Sequence, residues 1–176
     1  MENEVVVDRN PHRLMVFDLG KDIMRTREYA QGLEQMHHLG TSVSKHSFRV
    51  ALMSVRLADF LARIGVELDR NVLVRASLMH DFGILGRFEG KFKGIKGCCL
   101  LQHPKDSVEV AADLVHDLSD KEKNVIASHM WPFAATAPKY AESWVVNFSD
   151  KVVGTWESVA GALALVFSGK RKTVTE

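Results

Sequence analysis

Apolar and polar residues alternate along this chain at helical rather than strand spacing. The stretch KDIMRTREYAQGLEQMHHLG, 21–40, is rich in helix formers and ends at Gly40, which predicts a first helix with a glycine stop. A longer helix is expected from Ser42 to Ile64, with an inward stripe of Val50, Met53, Leu57, Phe60 and Ile64 and a stop at Gly65. Asp69 is a good N-cap for a third helix, which carries Leu73, Ala76 and Ser77 toward His80. No helical period persists through FGILGRFEGKFKGIKG, 82–97. This glycine-rich, basic segment reads as a functional loop, a candidate lid.

Pro104 suits the first turn of a fourth helix, whose face would be Val108, Ala111, Ala112 and Val115. SDKE, 119–122, has the form of a capping box and opens a fifth helix that reaches His129. Two prolines break the chain in WPFAATAPKY, and a last helix is expected over about 141–167. Only VVV, 5–7, looks strand-like. The class is therefore all-α, about six to eight helices in one domain.

Composition changes little in this picture. The 176 residues, 46% hydrophobic, can fill one core of ordinary size. A net charge of +1 gives no footing for nucleic acid as a specific partner. The longest apolar run, VAGALALVF (159–167), is too short to span a bilayer and reads as a buried helix segment or a subunit contact. The N-terminus has no signal-peptide pattern, and the two cysteines, Cys98 and Cys99, are adjacent. Both suit a cytoplasmic protein.

The candidate chemistry lies where ionisable residues interrupt apolar faces. His80 continues the stripe Leu73, Ala76, Ser77. His46 precedes Val50 by one turn, and His129 follows Val125 by one turn. Asp150 lies between Val146 and Val153. His103 stands before Pro104, at the N-cap of the expected fourth helix, and Asp81 follows His80. A single buried histidine usually needs only a hydrogen bond. Six such groups in one modest core are satisfied together by a shared metal centre. Four imidazoles and two carboxylates suit one or two first-row divalent ions.

The ordered set His46, His80–Asp81 and Asp150 resembles the HD-domain superfamily of metal-dependent phosphohydrolases. The resemblance covers roughly 42–157. It leaves an N-terminal helical extension over 1–40 and a polar tail over 169–176. His103 in QHPKDSVEVA and His129 in VIASHMWP resemble the further histidines of the binuclear branch. HMWPFAATAPKYAESWVVNFSDK is similar to a group of small bacterial HD proteins.

The resemblance implies an enzyme with two divalent transition-metal ions (Fe, Mn, Zn, Ni or Co). His46, His80, Asp81 and Asp150 would hold the first ion. His103 and His129 would hold the second, with Asp81 bridging. Asp81 and His80 would be central to catalysis. The implied reaction is hydrolysis of a phosphate mono- or diester, of a nucleotide or another small phosphorylated metabolite, by a metal-bridging hydroxide. Arg49, Lys105, Lys151 and Trp131 are candidates to bind that substrate, with Arg87, Lys91, Lys93 and Lys96 as further cations in the loop. Phe133 and Tyr140 are further rings that could stack on a base.

This chain departs from the family at Ile84, where many members carry a lysine, and it has no GYP signature after the HD pair. Ile84 supports one alternative, a non-catalytic metal- or nucleotide-binding module; the resemblance also admits a di-iron oxygenase, a chemistry of some relatives. His37 and His38 are expected at the surface or behind the ligands. Trp144 and Trp156 are expected in the core, and His12 and His116 outside any site.

Overall fold

Asn10 starts the first helix. Its side chain accepts from the backbone N–H of His12 and Arg13, and Pro11 occupies the first turn, where its missing N–H costs nothing. A computed structural model of the chain describes residues 10–38, 40–86 and 99–171. The expected strand 5–7, Arg87, Lys91, Lys93, Lys96, Cys98 and the tail beyond 171 lie outside the described residues.

Among the described residues the order is α1 (Pro11–Met24), α2 (Arg27–Glu34), β1 (Met36–His38), β2 (Thr41–Ser42), α3 (Val43–Ala62), α4 (Arg70–Met79), a 3-10 turn (Phe82–Ile84), α5 (Cys99–Leu114), α6 (Asp120–Ser128) and α7 (Ala141–Arg171). The protein is all-α apart from the β1–β2 ribbon. In that ribbon Met36 pairs with Ser42 and His38 with Thr41, antiparallel. α3 packs on both α4 and α7, and α6 closes against α4, α5 and α7. The core between them is built on Val50, Val55, Leu73, Leu78, Ile126 and Val146, all fully buried.

Three expected elements are corrected. The helix over 21–40 is two helices, since the chain breaks at Arg25 and Thr26, and Thr26 caps α2. It then turns into β1. The turn from β1 to β2 is allowed by Gly40, at φ +86°, a conformation that disfavours any side chain. α5 begins at Cys99, so Pro104 sits inside the helix and His103 is no N-cap.

The buried face of α3 is rotated from the expected stripe. It runs through Val43, His46, Ser47, Val50, Ala51, Ser54, Val55 and Ala58, while Phe60 and Ile64 are exposed. The small residues face inward because α4 and α7 approach α3 on that side, leaving large side chains no room. On α5, likewise, Ala111 is buried but Ala112 is exposed.

Caps explain the elements that agree. Asp69 accepts from Asn71 and Val72 at the start of α4. Ser119 and Glu122 form the reciprocal capping box of α6. No helix among the described residues is long and apolar enough to cross a membrane. Trp144, Trp156, Val159 and the residues 162–167 are exposed rather than core. α7 outruns the helices beside it, and large side chains on its outer face are left mostly exposed among the described residues.

Candidate metal centre

Each expected ligand is carried to one place by a different part of the bundle. His46 lies in the first turn of α3. His80 and Asp81 follow the last turn of α4, His103 lies early in α5, His129 follows α6, and Asp150 lies on the inner face of α7. All six are buried. The turn after Asp81 is seated on α5 through Gly83, whose N–H donates to Ser107 Oγ at 2.9 Å. A Cβ at Gly83 would run into the backbone of His103 and Ser107, so glycine sets the close approach of the two segments.

The hydrogen bonds behind the imidazoles fix what their front atoms can be. His80 Nδ1 lies 2.7 Å from the Ser77 carbonyl, and His129 Nδ1 lies 2.7 Å from the Ile126 carbonyl. A carbonyl only accepts, so both Nδ1 atoms donate. His46 Nδ1 lies 2.8 Å from Glu157 Oε2, a carboxylate kept ionised by His46 and Arg49 against the effect of its burial. In all three rings Nε2 is therefore left to face the cluster with a lone pair or a second proton. Metal-bound histidines are held from behind in this way.

The front atoms converge on the carboxylates. Asp150 Oδ1 lies 3.0 Å from His46 Nε2 and 3.6 Å from His80 Nε2. Asp81 divides its two oxygens between two groups. Its Oδ2 lies 3.2 Å from His80 Nε2, 3.2 Å from His37 Nε2 and 3.7 Å from His46 Nε2. Its Oδ1 lies 3.3 Å from His103 Nε2 and 3.5 Å from His129 Nε2. His103 and His129 approach each other at 2.8 Å through Nε2. His80 Nε2 and Asp81 Oδ2 are buried and make no hydrogen bond among the described residues.

Lone pairs facing lone pairs in a buried site require a cation, either protons or a metal ion. Burial alone would push the His46 imidazole down. Asp150, Glu157 and Asp81 overcome this and lift it to about 9. His80 is raised in the same sense by Asp81 and Asp150. Burial would raise both aspartates, but the surrounding imidazoles hold Asp81 and Asp150 well below the usual carboxylate range. Burial keeps His129 below its ordinary value, hence neutral near pH 7. Deprotonated carboxylates beside imidazoles held from behind are the donor set a divalent ion takes. Three overlapping triads can each hold such an ion: His37–His46–Asp81, His46–His80–Asp150 and His80–Asp81–His129.

Two of these functional residues were absent from the expected ligands. His37 is brought in by the β1–β2 ribbon, a long-range pairing that no local pattern announces. Glu157 carried a legible signal: it lies two turns beyond Asp150 and so shares its helix face. The wall beside the site is held by Asn147, whose Nδ2 reaches the carbonyls of Ser128, His129 and Trp131.

A cavity of about 540 Å³ opens over the cluster. Asp81, His37, His103 and Asp150 line its polar part, and Ile84, Met130, Phe133 and Val159 its apolar part. Among the described residues lining it, the cation is Lys151. Its Nζ donates to the His129 carbonyl at 2.8 Å, and burial lowers its pKa. The other candidate contacts lie elsewhere. Arg49 donates to Glu157 Oε1 at 2.7 Å and to Thr41 Oγ1. Lys105 lies at a separate depression with Leu101 and Pro104, and Trp131 does not line the cavity. Tyr140 sits under the Lys121 ammonium, away from the cavity.

The family model described as HD domain matches residues 43–153, well over half of the chain, and the match spans all six of the converging residues. No curated protein and no solved structure matches. The chain belongs to the HD domain family.

Proposed function

We propose that this HD-domain chain is a metal-dependent phosphohydrolase acting on a phosphate mono- or diester, of a nucleotide or another small phosphorylated metabolite. The observation that carries the reading is the division of Asp81, whose two oxygens face two separate sets of imidazoles. His46, His80, Asp81 and Asp150 would hold one divalent ion. Asp81, His103 and His129 would hold a second. When bound, a pair of such ions supplies an activated water and neutralises charge on the oxygens of an in-line displacement at phosphorus.

The chain's own groups do the rest. Lys151, fixed on the His129 carbonyl, presents its ammonium to a phosphate oxygen in the cavity. Of the four substrate-binding candidates it is the one that lines this space. Phe133, Met130 and Val159 give the organic part of the substrate an apolar wall, and about 540 Å³ is room for a ligand of nucleotide size. No side chain needs to act as a covalent nucleophile, and no serine hydroxyl is assigned that part.

The test is elemental analysis of protein purified without chelators, beside Asp81→Ala and His129→Ala. Phosphate release is followed from nucleoside monophosphates, cyclic nucleotides and bis(p-nitrophenyl) phosphate. The expected result is about two ions per chain, about one after His129→Ala, and neither metal nor hydrolysis after Asp81→Ala. Metal and activity that survive Asp81→Ala would overturn the proposal, as would a protein that binds no divalent ion after reconstitution.

A further inference from the structure

The outer face of α7 carries large apolar side chains that are more than half exposed, Trp156 touching only the Arg49 guanidinium. Trp144, Phe148, Trp156, Val159, Leu163 and Phe167 are each 52–63% exposed. At 100° per residue they fall within roughly a 140° arc and form a stripe about 35 Å long. No charged residue interrupts the sequence from Ser158 to Gly169, and every residue from 162 to 167 is exposed. A helix apolar on all sides belongs inside something larger than one subunit.

The stripe is its own complement. Consider a second α7 laid antiparallel, with the two-fold axis between Thr155 and Trp156. Trp144 then meets Phe167, Phe148 meets Leu163, and Val152 meets Val159. Apolar positions face one another in these three pairs, and Trp156 lies beside the axis opposite Thr155, so the contact is isologous. The area is also sufficient. Four aromatic side chains at slightly over half exposure, with the aliphatic members, offer about 600 Å² from each copy. Two copies thus have up to about 1,200 Å² to bury from these side chains alone, the size at which specific interfaces begin.

We propose that this stripe is the interface of a symmetric dimer, in which α7 of one copy lies antiparallel on α7 of a second. Val159 belongs to both the stripe and the cavity over Asp81, so the second copy borders the site. Trp156 lies against the Arg49 guanidinium, 5.5 Å from its ring centre, and Arg49 holds Glu157 behind His46. Covering Trp156 therefore shields that ion pair from water. The interface itself does not depend on the hydrolytic reading.

Sedimentation equilibrium of the full chain at about 20 μM is the test, and it is expected to give twice the 19.7 kDa chain mass. Leu163→Lys and Phe148→Glu are each expected to sediment as monomers, with the dissociation constant raised at least about 30-fold. Far-UV circular dichroism should be unchanged, since both side chains are more than half exposed. Mixed in equal amounts, the two variants should pair again, because the new lysine faces the new glutamate. A monomeric wild type, or a Leu163→Lys protein that remains dimeric, would overturn the proposal. So would a mixture that stays monomeric, or a monomeric wild type that co-sediments with phosphatidylglycerol vesicles, which would assign the stripe to a lipid surface.

Discussion

Glu157 acts on the candidate metal centre through His46, and the two can be separated by substitution. Its carboxylate is 2% exposed and gives one oxygen to His46 Nδ1 at 2.8 Å and the other to Arg49 Nη1 at 2.7 Å. Glutamine keeps one acceptor and replaces the other with a donor, so one of the two partners must be lost. Arg49 is 42% exposed on its side chain and can turn to water, at a cost of about 1 kcal/mol or less. His46 is fully buried and cannot. Glutamine therefore orients its oxygen to His46 and preserves the tautomer whose Nε2 faces the cluster.

Glu157→Leu removes the acceptor altogether. The buried Nδ1–H then costs about 1–3 kcal/mol, or the ring takes the other tautomer and presents N–H where a lone pair is needed. Losing the group behind a metal-bound histidine typically weakens the site by about 10- to 100-fold. The assay is calorimetric titration of the metal-free protein with Mn²⁺. The expected order is wild type, then Glu157→Gln weaker by up to about 10-fold, then Glu157→Leu weaker by about 100-fold. A folded Glu157→Leu protein that binds Mn²⁺ like wild type would refute the reasoning, as would a Glu157→Gln protein as weak as the leucine variant.

Gly83→Ala puts a Cβ against the backbone of α5, and backbone yields less easily than a side-chain tip. The expected loss is about 1–3 kcal/mol, seen as a thermal midpoint lower by about 2–12 °C. An unchanged midpoint would show that α5 can shift freely. Glu142 ties the start of α7 to the start of α4 by accepting from the Asp69 N–H at 3.0 Å, and it also pairs with Lys121. Burial would raise its pKa, but these donors outweigh it and hold the group below its ordinary 4.5. A depressed carboxylate stabilises the fold above its unfolded pKa and ceases to do so as pH falls through the folded one. Urea unfolding followed from pH 6 downward should therefore show a decline below about pH 4.5 that is shallower in Glu142→Gln. Equal slopes in the two proteins would exclude Glu142 as a contributor.

What could be read in the sequence was what is decided locally. α4 and α6 were legible because Asp69 and the Ser119–Glu122 pair state their own starts. The cluster was legible because a buried ionisable group interrupts an apolar face at a helical interval, and six such interruptions ask for one shared explanation. α1 carries a local signal as well, since Asn10 followed by Pro11 is a helix opening. On the face of α3 side-chain size is a poor guide to burial. Phe60 and Ile64 point outward, while Ser54 and Ala58 fill the narrow contact. His37 had no local signal at all: it reaches Asp81 only because Gly40 turns the chain into a ribbon. Arg49 was assigned by sequence distance from His46, which does not say whether a side chain on the next turn faces the cavity or Glu157.

The histidines of the site are held from behind in two different ways, and this makes them unequally vulnerable to point mutation. His80 and His129 each follow the last residue of a helix and donate Nδ1–H to the carbonyl three residues earlier. That acceptor is main chain, present whatever side chains stand at Ser77 and Ile126. No single replacement outside the two histidines deletes it while the helix end persists. His46 depends instead on one carboxylate 111 residues away in the chain. Random mutation of the gene would thus erode the cluster from the His46 side first. A descendant that had lost the His46–Glu157 pair but kept the fold would be expected to retain the His80 and His129 geometry as a relic.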